Sequence, residues 1–238
     1  MTAALAVLRL GRVPYTEALE LQRHLAAQRQ QGIIDRDLLL LLEHEPTITL
    51  GRGTRPESLP LTVEQLQARG LTVAEVDRGG DVTWHGPGQL VGYPIIDLTR
   101  HRQDLHWYLR QVEGGLIDAI SRLGLPAERS AGFTGVWTGG RKIASIGIHV
   151  RQWVTTHGFA LNVHNDLDDF GLIVPCGIPG VTMTTVAREL VRTDSAELWG
   201  SALDAVVAGM ATAFSLTPEP ATLASLVAEG TGARPAAY

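Results

Sequence analysis

The fold class of this 238-residue chain is decided by the stretch GVWTGGRKIASIGIHV, residues Gly135 to Val150. Its two halves are rich in apolar and β-branched residues, and they meet at the glycine pair Gly139-Gly140. Paired glycines adopt the backbone angles of tight hairpin turns, so the stretch predicts two antiparallel strands. Amphipathic helical patterns flank this hairpin without strict alternation of strand and helix, which indicates an α+β fold.

The other elements follow from periodicity and from capping or breaking residues. Thr62, with Gln65 three residues later, predicts a capping box at the start of a short helix. Further strands are predicted at 5–10, 37–43, 47–50, 71–76 and 156–163, and longer helices at 14–31, 103–123 and 194–214. Residues 1–216 are expected to form a single domain. Residues 217–238, rich in alanine, proline, threonine and glycine, are expected to be a loosely ordered C-terminal tail with one short helix.

Composition and charge exclude several classes of protein. With 25 acidic and 20 basic residues, the formal net charge of −5 offers no basic field for nucleic acid or an anionic membrane surface. No apolar run approaches the roughly 18 residues that a membrane span requires. A single cysteine excludes an internal disulfide framework and fits a reducing compartment, and no secretory signal is recognisable. We therefore expect a cytoplasmic protein.

One glycine-rich segment carries residues suited to chemistry. RGGDVTWHGPGQ, residues Arg78 to Gln89, combines four glycines with polar and aromatic side chains, so that backbone N–H groups can approach a ligand closely. Arg78 could orient an anionic or carbonyl group, and Thr83 and His85 could donate hydrogen bonds. A hairpin corner that needs glycine for its geometry alone explains the segment equally well, and the spacing matches neither common nucleotide-binding loop.

Cys176, in the segment VPCGIPG, is either a small buried hydrophobe or a nucleophile. Its place between prolines and glycines, rather than on an apolar helix or strand face, favours a reactive thiol. Such a thiol needs a base or a cation nearby. No cluster of cysteine and histidine has the spacing of metal ligands, so no metal site is predicted. Sequence spacing does not choose among the candidate bases, which are Lys142, His149, His157 and His164.

Four motifs in this order resemble the lipoyl(octanoyl) transferase family: RGGDVTWHGPGQLVGYP from Arg78, GRKIASIGI from Gly140, HGFALNV from His157 and IVPCGI from Ile173. An ordered set is far more specific than one glycine-rich loop. The resemblance covers residues 37–190. It implies the α+β fold of the lipoate/biotin protein ligase catalytic domain, with mixed sheets flanked by helices, and makes residues 1–216 a single catalytic acyltransferase domain.

The resemblance also implies the roles of particular residues. The family's nucleophile and its base are one cysteine and one lysine, here Cys176 and Lys142. They are the only cysteine and the only lysine of a chain that otherwise uses arginine, which stays protonated and cannot act as a base. Backbone N–H groups near Gly80 or Gly147 are expected to stabilise the oxyanion. The implied acyl contacts are Arg78, Gly79, Gly80, Asp81, Val82, Thr83, Trp84, His85, Ser145, Ile146, Gly147, Gly158, Phe159 and Ala160.

The implied reaction moves an octanoyl group from octanoyl-acyl carrier protein to a lysine of lipoyl domains, through an acyl-thioester on the cysteine. The acceptors are lipoyl domains of 2-oxoacid dehydrogenase complexes and the glycine cleavage H protein, and this is the first step of the endogenous lipoate pathway. No cofactor is expected, because the thioester is already activated, and no nucleic acid or membrane partner is expected. Since both protein partners are commonly acidic, a basic docking patch is expected, with Arg52, Arg55, Arg100 and Arg102 as candidates.

Three other functions stay open. An ATP-dependent lipoate or biotin ligase has the same fold class and an RGG-like segment but needs no nucleophilic cysteine, and ATP-dependent loading of free octanoate would identify it. A cysteine amidase or thioesterase would use water in place of the acceptor amine, which product analysis with and without a lipoyl domain distinguishes. In a non-catalytic acyl-binding module Cys176 would be inert packing, so Cys176→Ser would leave function intact.

Overall fold

Residues 3–230, the part of the chain that the computed structural model describes, form two sheets, six α-helices and several short 3-10 helices. The strands are β1 (Ala4–Arg12), β2 (Asp37–Glu43), β3 (Thr47–Leu50), β4 (Thr72–Glu75), β5 (Thr83–His85), β6 (Gln89–Ile95), β7 (Glu128–Ser130), β8 (Phe133–Thr138), β9 (Arg141–Arg151), β10 (Val154–Asn162) and β11 (Thr217–Pro220). The helices are α1 (Tyr15–Gln30), α2 (Val63–Gln67), α3 (Leu105–Arg122), α4 (Val186–Leu190), α5 (Ser195–Phe214) and α6 (Leu223–Gly230).

The larger sheet has eight strands in the order β11-β1-β2-β6-β10-β9-β8-β7. β1 runs parallel to both of its neighbours, and the remaining pairs are antiparallel, so the sheet is mixed. The predicted hairpin is confirmed: Thr138 pairs with Arg141, and both turn glycines, Gly139 and Gly140, have positive φ. This geometry is the reason for the glycine pair, since other residues rarely adopt it.

Helices cover both faces of the larger sheet, which makes β2 a strand buried on both sides. Leu39 and Leu41 face the core under α3 and α5, whereas Leu38 and Leu40 face the core under α1. The alternation follows from the period of two in a strand. It explains why this strand reads as an unbroken apolar run.

The smaller sheet, in the order β4-β3-β5, packs its own core and brings segment 78–85 against the larger sheet. Trp84 of β5 is buried with Phe170 and Met183 in that core. The backbone N–H of Gly79 donates to the carbonyl of Ile148 in β9 at 2.9 Å. The two sheets are therefore joined at the glycine-rich segment.

Arg29 of α1 forms a buried ionic network with the loop that follows β6. Its guanidinium donates to Asp37 at 3.1 Å and to the carbonyl of Ile34 at 3.2 Å. Asp37 also lies 2.7 Å from the ring of His101 and accepts the N–H of Asp97 at 2.9 Å. A buried charge is tolerated because it is paired and hydrogen-bonded on several sides.

The region after residue 216 differs from the loosely ordered tail predicted from composition. β11 adds to the edge of the larger sheet, with Ala4 paired to Thr217, and Leu226 of α6 is buried. Sheet pairing with a distant strand outweighs the low strand preference of a Thr-Pro-Glu-Pro sequence. The short helix predicted there is confirmed, and the prediction for 231–238 lies outside the described residues.

Further local features complete the description of the fold. The capping box of Thr62 and Gln65 is present. Asp194 precedes α5, but its carboxylate pairs with Arg192 and makes no capping bond. The strands on either side of Pro46 lie in different sheets. No helix within residues 3–230 is long and apolar enough to cross a membrane.

Candidate active site

A cavity of about 280 Å³ lies where segment 78–85 and the loop at Cys176 meet β9 and β10. Thirteen of the predicted site residues line it, together with nine others. The predicted residues in the lining are Arg78, Gly80, Asp81, Thr83, His85, Lys142, Ser145, Ile146, Gly147, Gly158, Phe159, Ala160 and Cys176. The other nine are Tyr15, Val91, Tyr93, Gly132, Phe133, Thr134, Gly177, Ile178 and His157, the last of which the sequence offered only as a candidate base.

Cys176 lies in a single turn of 3-10 helix, Pro175–Gly177, with a left-handed backbone (φ 56°). Its N–H donates to the carbonyl of Val82 at 2.9 Å, which ties the turn to the glycine-rich segment. The sulfur Sγ is 3.5 Å from Oγ of Ser145 in β9, within hydrogen-bond distance for sulfur. A hydroxyl at this position can donate to a thiolate, so Ser145 is placed to stabilise the ionised form of Cys176.

Lys142, 1% exposed, projects from β9 into the same cavity. Its Nζ donates to the carbonyl of Thr134 at 3.0 Å and lies 4.7 Å from the centre of the Trp137 ring. A carbonyl oxygen and an indole face both favour a cation. Gly135 leaves room for the amine, since a Cβ there would lie 3.2 Å from Nζ. Strand β8 therefore holds the end of the lysine from three sides.

Arg78 organises the glycine-rich segment through its guanidinium. Nη1 donates to the carbonyls of Asp81 and Gly79 at 2.8 and 3.2 Å, and Nη2 donates to the carbonyl and hydroxyl oxygens of Thr49 at 2.9 and 2.7 Å. Burial lowers the pKa of Arg78, although arginine stays charged. Nε of Arg78 and Oγ1 of Thr83 are buried without a partner among the described residues. Unpaired buried groups in a cavity wall suit a ligand with a polar head.

Two buried histidines and two tyrosines form a ring cluster beside the cavity. His44 donates from Nδ1 to the carbonyl of Val13 at 2.7 Å, because a carbonyl can only accept, and its Nε2 accepts from the Tyr93 hydroxyl at 2.6 Å. His85 contacts His44 edge to face and stacks on Tyr15. Burial lowers the pKa of His44 to about 4 and that of His85 to about 3, and raises the pKa of Tyr15 to about 12. This wall is therefore uncharged at neutral pH.

His157 is the one predicted histidine candidate that lines the cavity. It has a left-handed backbone (φ 56°) within β10, and its Nε2 lies 2.8 Å from a carboxylate oxygen of Asp77. Burial lowers the pKa of His157 despite that carboxylate. His149 lies 3.8 Å from the same carboxylate, and His164 packs on Trp199; neither lines the cavity.

Three predicted acyl contacts lie outside the cavity wall: Gly79, Val82 and Trp84. Trp84 and Val82 belong to the core of the smaller sheet, and Gly79 binds β9 through its N–H. Side chains alternate along β5, so Thr83 and His85 face the cavity while Trp84 faces away. Both candidates for the oxyanion site, Gly80 and Gly147, line the cavity.

The four arginines predicted as a docking patch do not form one cluster. Arg55 does not line the cavity but contacts two residues of its wall: it donates to the carbonyl of Gly177 at 2.9 Å and pairs with Asp81. The N–H of Arg52 is bonded to the carbonyl of Arg78. Arg100 and Arg102 lie after β6, paired with the acidic residues Asp97 and Asp104. Within residues 3–230, no group of three His, Cys, Asp or Glu side chains could hold a metal ion.

Residues 14–206 match the family model of the lipoyl protein ligase A/B catalytic domain, and this is the class that the fold and the cavity define. An octanoyltransferase of Gloeobacter violaceus is 54% identical over 168 residues, which cover 71% of this chain and 73% of that protein. Octanoyltransferases of Geobacter sulfurreducens and Chloroflexus aggregans are 50% and 47% identical. Their alignments cover 84% and 90% of this chain and 82% and 96% of those proteins. The chain belongs to the octanoyltransferase family, which confirms the resemblance found in its motifs.

Solved structures share the fold at low sequence identity. A bipartite lipoate protein ligase described with its E2 lipoyl domain, from Thermoplasma acidophilum, has a TM-score of 0.71 at 17% identity, over 98% of this chain and 91% of that chain. Lipoate-protein ligase A bound with ATP has a TM-score of 0.70 at 15% identity, over 98% and 94% of the two chains. These similarities concern the fold alone and confirm the predicted α+β architecture.

Proposed function

We propose that this protein transfers an octanoyl group from octanoyl-acyl carrier protein to a lysine of lipoyl domains, through a thioester on Cys176. Family membership supports octanoyl transfer by an acyltransferase. One observation supports the cysteine route: the only cysteine and the only lysine of the chain line the same cavity. Lys142 and Cys176 are the proposed catalytic residues, and the catalytic domain lies within residues 1–216.

In the first step, the Cys176 thiolate attacks the carbonyl carbon of the donor thioester. The bond from that carbon to the carrier's sulfur breaks, and the octanoyl group is then joined to Cys176. The leaving thiolate takes a proton from the Lys142 ammonium, which becomes a neutral amine. The Ser145 hydroxyl, 3.5 Å from the sulfur, stabilises the thiolate before attack. Backbone N–H groups at Gly80 or Gly147 are proposed to hold the oxyanion.

In the second step, the acceptor lysine arrives as an ammonium and gives one proton to the Lys142 amine. Its nitrogen attacks the octanoyl carbonyl, an amide forms and the bond to Cys176 breaks. A second proton leaves the nitrogen for solvent, and the enzyme regains its thiolate and its ammonium. The thioester supplies the free energy, so the reaction as proposed requires no ATP, metal or other cofactor.

The proposed acceptors are lipoyl domains of 2-oxoacid dehydrogenase complexes and the glycine cleavage H protein. The lysine ε-amine of either acceptor must reach the bottom of the cavity in this protein, which also holds the acyl chain. We place this reaction in the cytoplasm, as the first step of lipoate biosynthesis. Of the predicted docking arginines, Arg55 is the one supported by contacts with the cavity wall, at Gly177 and Asp81.

Intact mass spectrometry after mixing the protein with octanoyl-acyl carrier protein tests the cysteine route. The wild type is expected to gain one octanoyl group and to lose it when an apo-lipoyl domain is added. Cys176→Ala is expected to gain none. Lys142→Arg keeps the positive charge without a usable base, so it should acylate slowly and fail to discharge.

Two results would contradict the proposal. Product formed by wild type and by Cys176→Ala at equal rates would show direct transfer between donor and acceptor. ATP-dependent loading of free octanoate, with no reaction from the carrier thioester, would show a ligase instead.

A further inference from the structure

A second cavity, of about 220 Å³, adjoins the catalytic cavity and has no part in the steps above. The two share the wall formed by Gly132, Phe133 and Thr134. The carbonyl of Thr134 is the one that accepts from Nζ of Lys142 at 3.0 Å. A ligand lying in both cavities would therefore pass directly beside the proposed base.

Arg110 and Glu113 line the second cavity, and Arg129, which binds the same carboxylate, adjoins it. Glu113 of α3 accepts from Nη1 of Arg110 at 2.6 Å and from Nε of Arg129 at 2.9 Å. The carboxylate is 2% exposed, whereas the two arginine side chains are 62% and 42% exposed. Two guanidinium groups on one buried carboxylate leave a net positive charge at the surface.

Phe133 supplies an apolar surface between these charges and the catalytic cavity. It lines both cavities, and 46% of it is exposed, so its ring is accessible to a ligand. Arg110 lines the second cavity alone, Phe133 lines both cavities, and Lys142 lines the catalytic cavity alone. A ligand that fits this order has an anionic outer end, a less polar middle and a reactive inner end.

We propose that the second cavity receives the phosphopantetheine arm of the acyl carrier protein, with the arm's phosphodiester bound by Arg110 and Arg129. This inference rests on the proposed function, in which the thioester at the end of that arm reaches Cys176. The phosphodiester is at the opposite end of the arm and must lie outside the catalytic cavity. Guanidinium groups bind phosphate oxygens in pairs of hydrogen bonds, which suits two arginines fixed side by side.

The same cluster also supports β8, and the test must separate the two roles. The other oxygen of Glu113 is 3.4 Å from the backbone N of Gly135, next to the carbonyl that holds Lys142. A change at Arg110 could therefore slow every reaction by moving the lysine. A loss of phosphate binding would instead slow only the donors that contain phosphate.

Three octanoyl donors distinguish these effects: octanoyl-acyl carrier protein, octanoyl-phosphopantetheine and octanoyl-pantetheine, which lacks the phosphate. Arg110→Gln and Arg129→Gln are suitable variants, because the glutamine amide can still donate to Glu113. We expect kcat/KM for acylation of Cys176 to fall about 10-fold with both phosphate-containing donors, the size of a lost charged hydrogen bond. Octanoyl-pantetheine should react within about twofold of wild type in each variant.

Arg122→Gln is the matched control, since Arg122 lies on the same helix, is half-exposed and pairs with Asp118 at 2.9 Å, outside the second cavity. It should leave all three donors unchanged. An equal loss with all three donors in the Arg110 and Arg129 variants would assign the cluster to support of Lys142 and overturn the proposal. Unchanged donor kinetics with a raised KM for the lipoyl domain would assign the cavity to the acceptor. Wild-type protein that reacts with none of the donors would overturn the proposed function, and this inference with it.

Discussion

Replacing Gly135 by alanine is expected to slow the acylation of Cys176 by moving the ammonium of Lys142. A Cβ at this position would lie 3.0 Å from Cε and 3.2 Å from Nζ of the lysine. It would also lie 2.7 Å from the carbonyl oxygen of Ala144, a backbone atom that cannot step aside. The backbone of Gly135 has a φ of 137°, which side chains disfavour.

Both stability and rate should change. Overpacking together with a disfavoured backbone angle should lower the unfolding free energy by about 2–4 kcal/mol. For a chain of this length the melting temperature should fall by about 5–15 °C. The flexible end of Lys142 must move by a substantial fraction of an ångström, and a misplacement on the order of 1 Å costs about 100-fold in rate. We therefore expect acylation to slow by about 10- to 100-fold at a temperature where the variant is folded.

The assay follows the octanoyl adduct by intact mass at low temperature, with folding checked in the same samples. Gly200→Ala is the control, because a Cβ at Gly200 of α5 would meet nothing within 4 Å. In a Lys142→Met background the Gly135 change should have almost no further effect on the rate, since the base it displaces is absent. Acylation of the Gly135→Ala variant at the wild-type rate would refute the reasoning. It would also be refuted if the Gly135 change slowed acylation equally in the wild-type and Lys142→Met backgrounds.

Three further outcomes concern stability. Burial lowers the pKa of His44 to about 4 and that of His85 to about 3, so the folded state keeps both neutral while the unfolded chain protonates near pH 6.5. The free energy of unfolding is therefore highest above pH 6.5, and it should fall by about 1.4 kcal/mol per histidine for each pH unit between pH 6.5 and pH 4. Urea unfolding measures this fall, and a flat pH profile would contradict the reasoning. Arg29→Leu should lower the unfolding free energy by about 3–5 kcal/mol, because Asp37 is left buried without its main partner, and a loss below about 1 kcal/mol would show that the pair is not essential. Removal of residues 217–238 should lower the melting temperature measurably, since β1 loses a neighbour; an unchanged value would restore the interpretation of this segment as a tail.

Local signals account for much of what the sequence predicts. The hairpin around Gly139-Gly140 and the capping box of Thr62 depend on residues a few positions apart, and both are present. The pairing of β11 with β1 depends on residues from opposite ends of the chain, and no local pattern marks it. For the same reason Tyr15, which reaches the cavity from α1, could not be predicted.

The candidate site divides along similar lines. The motifs identify Cys176 and Lys142 as candidate site residues, but only the folded structure shows that they line the same cavity. Alternation along β5 is a signal that could have removed Trp84 from the predicted contacts, because its neighbours Thr83 and His85 share the opposite face. The position of His157 could not be inferred by alternation, since its left-handed backbone interrupts the regular geometry of β10.

The burial of Lys142 has a consequence for the chemical integrity of the protein itself. A catalyst that delivers acyl groups to lysine amines is exposed to its own product chemistry wherever it carries a lysine on its surface. This sequence contains one lysine, and that side chain is 1% exposed, with its amine held by β8. Arginine supplies every other basic side chain apart from histidine, and a guanidinium is a poor acyl acceptor because it stays protonated. The described surface therefore offers no lysine amine for self-acylation, and the proposed reaction needs an amine from another protein.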